Sequence, residues 1–188
     1  MHIQKWFSLS PFFDEEKVDK ILEITKTSQL MKAGTLSKGG KFRFTPFARN
    51  CKSGWIHEEP NNIWLFSEIL NAVDEINKRT LKFDLRECSI EPLQYLEYGP
   101  LQFYNRHVDN GADQVACRKY SVSIQLSHPS DYLGGKLKIF GQGQSPYAPR
   151  ERGSMAIFPS HILHQARPVW FGKRKVLVAW IRGKTTLS

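Results

Sequence analysis

The sequence predicts an α+β protein, mainly β, with helices first and a run of short strands after them. Three observations lead there. Asp14 stands ahead of Val18, Ile21, Leu22 and Ile24 at helical spacing, and Ile63, Phe66, Ile69, Leu70, Val73 and Ile76 form a second, broader apolar stripe. From Phe83 onward, strand-like stretches follow one another with Gly, Pro and Asn breaks between them, which favours a sandwich or barrel over βαβ units. The last stretch, 174–182, alternates: Arg174, Val176, Val178 and Trp180 share one face, and Lys175, Leu177, Ala179 and Ile181 the other.

In chain order, a strand is expected over 2–8, then a helix capped by Asp14. Gly34 and Gly39-Gly40 mark a polar loop over 30–42, read either as a surface connection or as a lid over a site. Short strands are expected at 42–44 and 53–56, with a helix over 62–77 between them and the β region. The later strands are placed at 82–86, 89–98, 102–108, 117–127, 135–140, 154–158 and 174–182. Residues 1–188 read as one domain, with helical support and lid strands in 1–80 and the β core in 81–188. The aromatic residues of the front half (Trp6, Phe12, Phe13, Phe42, Phe44, Phe47, Trp55 and Trp64) are assigned to core packing rather than to a peptide or base platform.

The 188 residues suffice for a sizeable core, and 40% hydrophobic residues argue against disorder. The net charge of +9 fits either a nucleic-acid or acidic partner or plain solubility, because the basic residues are scattered; Lys173, Arg174 and Lys175 are the densest group. Cys51, Cys88 and Cys117 are odd in number, widely spaced and without a CxxC. With no apolar h-region at the N-terminus and no membrane-length apolar run, a reducing cytoplasmic setting is expected. Cys88 and Cys117 are read as buried apolar residues.

The chemistry is carried by Tyr104-Asn105-Arg106-His107-Val108-Asp109. His107 and Asp109 are two residues apart, so one extended segment can offer an imidazole nitrogen and a carboxylate oxygen to one ion. Alone, a His-x-Asp means little. A second histidine downstream, His164, would complete two histidines and one carboxylate with open positions opposite, the facial triad of non-haem Fe(II) oxygenases. His161 competes for that third place, but it follows Pro159-Ser160 directly, and only His164 stands ten residues before Arg174. Arg174 on an otherwise apolar strand face calls for an anionic partner, either an internal carboxylate or a bound one. Lys173 and Lys175 have the opposite parity. Arg118 reads as facing the site or as a rim cation, and Gln94, Tyr95 and Tyr98 as sheet and core pairs. Asn110 is assigned to orienting Asp109 or to turn chemistry with Gly111, and His128 to solvent.

Taken together and in order, the motifs resemble those of the Fe(II)/2-oxoglutarate-dependent dioxygenases, specifically the prolyl 4-hydroxylase-like domain. The match runs from about Gln94 to Trp180: the tyrosine-rich entry Tyr98–Asp109, the Asp131-Tyr132-Leu133-Gly134-Gly135-Lys136-Leu137 turn, and Gly153–Ser160 before the distal histidine. This resemblance implies a double-stranded β-helix, or jelly-roll, with the N-terminal helices as support. It implies iron ligation by His107, Asp109 and His164. It assigns the far carboxylate of 2-oxoglutarate to Arg174 and Tyr104, with Trp180 walling the cosubstrate pocket. Many prolyl hydroxylases carry Lys where this chain has Arg174. The implied activity uses O2 as cosubstrate, with ascorbate as an accessory reductant, and releases succinate and CO2 while hydroxylating a C–H bond. Because Asp109 fills the carboxylate position that halogenases leave to chloride, hydroxylation is expected. A prolyl residue in a peptide or protein is the expected target. A nucleic-acid-modifying oxygenase and a non-catalytic jelly-roll binding module are the alternatives, with specificity residing in loops 30–42, 110–116 and 141–150.

Overall fold

A computed structural model describes residues 6–36, 42–43, 45, 47–80, 82–85, 87–111, 115–140 and 147–183. The first half contains β1 (Phe7–Leu9), α1 (Glu15–Thr25), β2 (Met31–Lys32), β3 (Thr35–Leu36), β4 (Phe42–Arg43), β5 (Arg49–Asn50), β6 (Lys52–Ile56) and α2 (Ile63–Arg79). The second half is β: β7 (Ser89–Ile90), β8 (Leu93–Tyr98), β9 (Phe103–His107), β10 (Arg118–Gln125), β11 (Tyr132–Gly134) and β12 (Leu137–Ile139). It ends with β13 (Met155–Pro159), β14 (His164–Ala166), β15 (Val169–Gly172) and β16 (Arg174–Arg182).

Two sheets face each other. The larger runs β1-β13-β10-β16-β8-β6-β2, with β7 also on β16, and the smaller runs β12-β14-β9-β5. Successive strands switch sheets: β8 is in the large one, β9 in the small, β10 large, β12 small, β13 large, β14 small and β16 large. This alternation, with antiparallel pairing throughout both sheets, is the jelly-roll that the sequence led us to expect. β11 and β15 pair separately, as do β3 and β4.

Each strand of the large sheet divides its side chains between two environments. Leu93 and Tyr95 of β8, Tyr120 and Ile124 of β10, Met155 and Ile157 of β13, and Leu177, Ala179 and Ile181 of β16 face the helices. Val18 and Ile21 of α1 and Leu65, Phe66, Ile69 and Val73 of α2 pack against them. Full burial of each such aliphatic or aromatic side chain contributes about 1.5–3 kcal/mol, so this layer anchors the sheet. The opposite parity, including Arg174, Val176, Val178 and Trp180, faces the small sheet and lines a cavity between the two. The expected parity of β16 therefore holds along its length.

Asp14 caps α1 as expected, accepting from the Lys17 amide at 2.8 Å. The stripe of α2 is rotated from the expected one: Leu65 is fully buried, whereas Ile63 at the helix start is half exposed. The strand expected at 82–86 is absent over 82–85. There the Asn77 side chain takes the Phe83 amide at 2.8 Å and gives to the Phe83 carbonyl at 2.9 Å, so these groups are satisfied without a ladder. Residues 89–98 split into β7 and β8 around Glu91-Pro92, where proline has no donor to offer. β5, β11, β14 and β15 were not anticipated, being only two to four residues long. Of the expected strand 2–8, residues 2–5 lie outside the described residues, as do 37–41 of the loop 30–42. The other end of that loop carries β2 and β3.

Core packing describes Trp6 and Phe13, which are buried, and Trp64, which packs on the helix-side core. It does not describe Phe47, which is 91% exposed, or Trp55, which lines the cavity. The Phe42 and Phe44 side chains lie outside what is described. Cys88 is exposed and Cys117 half-buried, contrary to expectation, while Cys51 is buried. Among the described residues, no helix is long and apolar enough to cross a membrane.

Gly153 holds α1 to the large sheet. Its carbonyl accepts from the Phe12 and Phe13 amides, both at 3.0 Å. Its φ is +80°, and an added Cβ would lie 1.9 Å from the Phe13 carbonyl oxygen. Gly153→Ala is expected to destabilise the fold by about 3 kcal/mol or more, read from the urea unfolding midpoint. An unchanged midpoint would show that this junction carries no stability.

Candidate metal and oxyacid site

β9 and β14 place His107 and His164 directly opposite each other in the small sheet. The next paired residues are Tyr104 and Ala166, so β9 spends three steps where β14 spends two. This extra residue is a β-bulge, and it matters for the site. On a regular strand, residues three apart point to opposite faces. The bulge turns exposed Asn105 and Arg106 outward and returns Tyr104 to the side of His107, where the two rings stack with centroids 3.4 Å apart.

Asp109 follows the end of β9. Its amide and that of Asn110 donate to the Ser160 carbonyl at 2.9 and 3.0 Å, which ties the segment to the end of β13. The Asp109 carbonyl accepts from Arg118 at 3.2 Å. Arg118 is 9% exposed, forms a two-point ion pair with Glu91 at 2.8 and 2.5 Å, and lies 3.9 Å from the centre of the Trp180 ring. It is thus a buried strut beneath the Asp109 backbone rather than a rim cation.

The His107, Asp109 and His164 donor atoms all lie within 4.8 Å of one another. His107 Nε2 is 3.5 Å from one Asp109 oxygen, and His164 Nε2 is 3.4 Å from the other. His107 Nδ1 donates to the Asn105 carbonyl at 2.7 Å, and His164 Nδ1 to the Ile162 carbonyl at 3.0 Å. A carbonyl can only accept, so Nδ1 carries the proton in both rings and Nε2 of each neutral ring is a lone pair. Two lone pairs facing a carboxylate repel unless a cation lies among them. Burial lowers the His164 imidazole below its ordinary value, against the pull of Asp109, which disfavours a proton as that cation. Burial pushes the Asp109 carboxyl up, and a positive charge lodged among it, His164 and His107 pulls it well below the usual carboxylate range. Two imidazole nitrogens and one anionic oxygen on one side of a cavity suit a divalent transition metal with further positions open.

The other wall of the cavity is set by β16 and β8. Arg174 is 5% exposed; its Nε donates to the Gln125 side-chain oxygen at 3.1 Å, and its guanidinium lies 5.7 Å from the centre of the Tyr98 ring. Among the described residues no carboxylate pairs with it, so the internal salt bridge weighed for this residue is not there. Tyr104 is pushed up to about 12 by burial, chiefly, and remains a hydrogen-bond donor. Trp180 forms the wall beside Arg118. The cavity holds about 690 Å³ and is lined by all six residues singled out above: His107, Asp109, His164, Arg174, Tyr104 and Trp180. His161 is exposed in the turn before β14 and outside the cluster, and Lys173 and Lys175 point away from the cavity. Gln94 and Tyr98, assigned to sheet pairing, line the cavity too, as does Arg49, which no motif marked. Residues 112–114 and 141–146 of the expected substrate loops lie outside the described residues.

A family model described as the 2OG-Fe(II) oxygenase superfamily matches residues 93–182, the stretch from β8 to the end of β16. Over this stretch, 90 of the 188 residues, the chain is similar to that superfamily. Its members' use of Fe(II) and 2-oxoglutarate fits the cluster and the unpaired arginine just described. A PKHD-type hydroxylase of Picosynechococcus sp. is 33% identical over 98 residues, which is 52% of this chain and 45% of that one. A PKHD-type hydroxylase of Thermosynechococcus vestitus is 28% identical over 88% of this chain and 77% of that one. Among solved structures, a Pseudomonas putida prolyl-4-hydroxylase superposes with a TM-score of 0.72 at 17% identity, covering 97% of this chain and 94% of that one. A Trichoplax adhaerens prolyl hydroxylase in complex with a hypoxia inducible factor peptide fragment gives 0.70 at 15% identity, covering 95% and 83%. At these identities the structures speak for the fold.

Gly135 supports the arginine wall. Its φ is +59°, and an added Cβ would lie 2.8 Å from a Val169 methyl and 3.1 Å from Arg174 Cδ. With Arg174 assigned to the far carboxylate of 2-oxoglutarate by the sequence resemblance, Gly135→Ala is expected to weaken 2-oxoglutarate binding by about tenfold while leaving metal affinity within about twofold, because the added methyl would displace the guanidinium. Titration of the metal-loaded protein checks this, and equal losses in both affinities would show a general collapse of the site.

Proposed function

We propose that this chain is an Fe(II)- and 2-oxoglutarate-dependent hydroxylase acting on a prolyl residue of a peptide or protein. The observation that carries the reading is one cavity holding both the His107–Asp109–His164 cluster and a buried Arg174 with no carboxylate partner among the described residues. A metal at the cluster and a dicarboxylate reaching from it to Arg174 would satisfy both. The names of the PKHD-type relatives and the prolyl hydroxylase folds, one with a peptide bound, support the target class.

In this reading His107, Asp109 and His164 hold the iron, their geometry fixed by the Asn105 and Ile162 carbonyls and by the Arg118 strut. Arg174, steadied by Gln125, receives the far carboxylate of 2-oxoglutarate in a planar two-point contact. In the same reading the Tyr104 hydroxyl donates to that carboxylate. Trp180, Val176 and Val178 keep the wall apolar and exclude water, which strengthens these charged contacts. The bound iron supplies the oxidation, in which O2 gives one oxygen atom to succinate and one to the substrate C–H bond, with CO2 released from 2-oxoglutarate.

A second reading has an observation of its own. At the open side of the cavity, Arg106, which is exposed, and Lys138 lie 5.0 and 4.8 Å from the centre of the Phe140 ring, and Lys136 lies 5.2 Å from that of Tyr147. Basic groups interleaved with aromatic rings can form a platform for single-stranded nucleic acid, which fits the +9 charge. Nucleic-acid modification requires binding that falls steeply with salt, and prolyl hydroxylation does not.

His107→Ala is expected to abolish iron binding and succinate formation together. Succinate formation by that variant would remove His107 from the site. Arg174→Ala should raise the half-saturating 2-oxoglutarate concentration by about 30-fold or more, given ~2 kcal/mol for a charge-assisted pair, while sparing iron. An unchanged requirement would point to another cation. Incubation with Fe(II), 2-oxoglutarate and a library of proline-bearing peptides, read as succinate and a one-oxygen mass gain, tests the target class. A gain on oligonucleotides instead of peptides would transfer the reading to nucleic acid.

A further inference from the structure

Arg49 is a buried cation of the cavity to which the hydroxylase reading gives no task. It lies on β5, at the edge of the small sheet, and is 7% exposed. Among the described residues its donors meet neutral acceptors: the Gln94 side-chain oxygen at 2.9 Å, the Gly34 carbonyl at 3.3 Å and Cys51 Sγ at 3.4 Å. Its guanidinium lies 4.6 Å from the centre of the Tyr104 ring, which itself stacks on His107. Burial pushes the Cys51 thiol up, so it remains neutral. Among the described residues no carboxylate pairs with Arg49, and Asp109 is the sole carboxylate lining the cavity.

A guanidinium stays charged at any physiological pH, and a buried charge without a counter-charge is strongly disfavoured. Arg118 shows the alternative within the same cavity, where Glu91 neutralises it. A ferrous ion, Asp109, doubly negative 2-oxoglutarate and Arg174 together cancel. Arg106, which also lines the cavity, is exposed to solvent; of the buried cations described Arg49 is left over, and the buried part of the loaded site is one negative charge short.

We propose that Arg49, with its fork held by Gln94, binds a carboxylate of the peptide substrate, so that the enzyme selects targets close to an acidic side chain. The proposal rests on the hydroxylase reading and deepens it. The substrate is the natural source of the anion because both carboxylates of 2-oxoglutarate are already matched, one at the metal and one at Arg174. Arg49 also sits on the opposite sheet from Arg174, with Tyr98 near both, and reaches toward Gly34, just before β3. A carboxylate suits the position better than a phosphate. Among the described residues no lysine lines the cavity, and part of the donor set is already engaged, which leaves room for a single planar anion.

The test uses full-length protein loaded with Mn(II) and 2-oxoglutarate, which binds peptide without turnover. Short fluorescent proline peptides carrying one Glu at each flanking position are compared with their Gln counterparts by anisotropy. The best Glu peptide is expected to bind about tenfold more tightly than its Gln counterpart, and Arg49→Gln should bring the ratio to within about twofold. 2-Oxoglutarate affinity without peptide should change by less than about twofold in Arg49→Gln but fall about tenfold or more in Arg174→Gln. A Glu-to-Gln ratio near one in the unmodified protein overturns the proposal, and this arm requires no variant to fold. An equal loss of 2-oxoglutarate affinity in both variants also overturns it and makes Arg49 a cosubstrate clamp. Displacement of the Glu peptide by oligonucleotides, lost in Arg49→Gln, would make phosphate the ligand. If acidic peptides bind through Arg49 but none gains oxygen once Fe(II) is supplied, the prolyl reading fails and the anion site stands.

Discussion

His107 and His164 face each other across two hydrogen-bonded strands, and the irregularity beside them governs the site. Had β9 run regularly to its end, Tyr104 and His107 would lie on opposite faces. The single extra residue puts both rings in the cavity, turns Asn105 and Arg106 out to solvent, and leaves the Asn105 carbonyl free to hold His107 Nδ1. The same pairing brings Arg49 of β5 beside Tyr104, since β5 is the next strand in the sheet. Metal cluster, aromatic stack and second arginine are thus consequences of one register.

Charge is the second constraint. The cavity brings several arginines together around one carboxylate, and the protein treats them differently. Arg118 is neutralised by Glu91 and made structural, holding the backbone of Asp109. Arg174 and Arg49 are given neutral partners, Gln125 and Gln94, that orient the guanidinium without cancelling it. An amide acceptor fixes geometry at little electrostatic expense, so the field of the cation remains available to a ligand. The helix-side core beneath the large sheet makes this tolerable, because the largest buried apolar cluster lies in a different layer from the charges.

Much of this was legible in the residues. Parity alone placed Arg174 and Trp180 on one face of β16, because side chains of a strand alternate whatever surrounds it; the structure made that the cavity face. The cap at Asp14 was legible because it depends on residues three apart. The choice of His164 over His161 needed the spacing to Arg174. The errors are as instructive. Phe83 read as a strand residue until the Asn77 side chain was seen to hold both of its backbone groups. Trp55 and Phe47 read as core because aromatic type says nothing about what lies opposite. β11, β14 and β15 are too short for a period to show.

The sequence by itself determined the class of fold, the periodic faces of the long elements and the residue types able to bind a metal and an oxyacid. These are local properties, fixed by backbone geometry and side-chain chemistry within a few positions. Only the tertiary structure decided that Arg174 lacks a carboxylate partner among the described residues, that Arg118 has one, and that Arg49 reaches the same cavity from a two-residue strand. Whether a buried cation is paired depends on which distant strands become neighbours, and long-range pairing leaves no trace in the spacing along one chain.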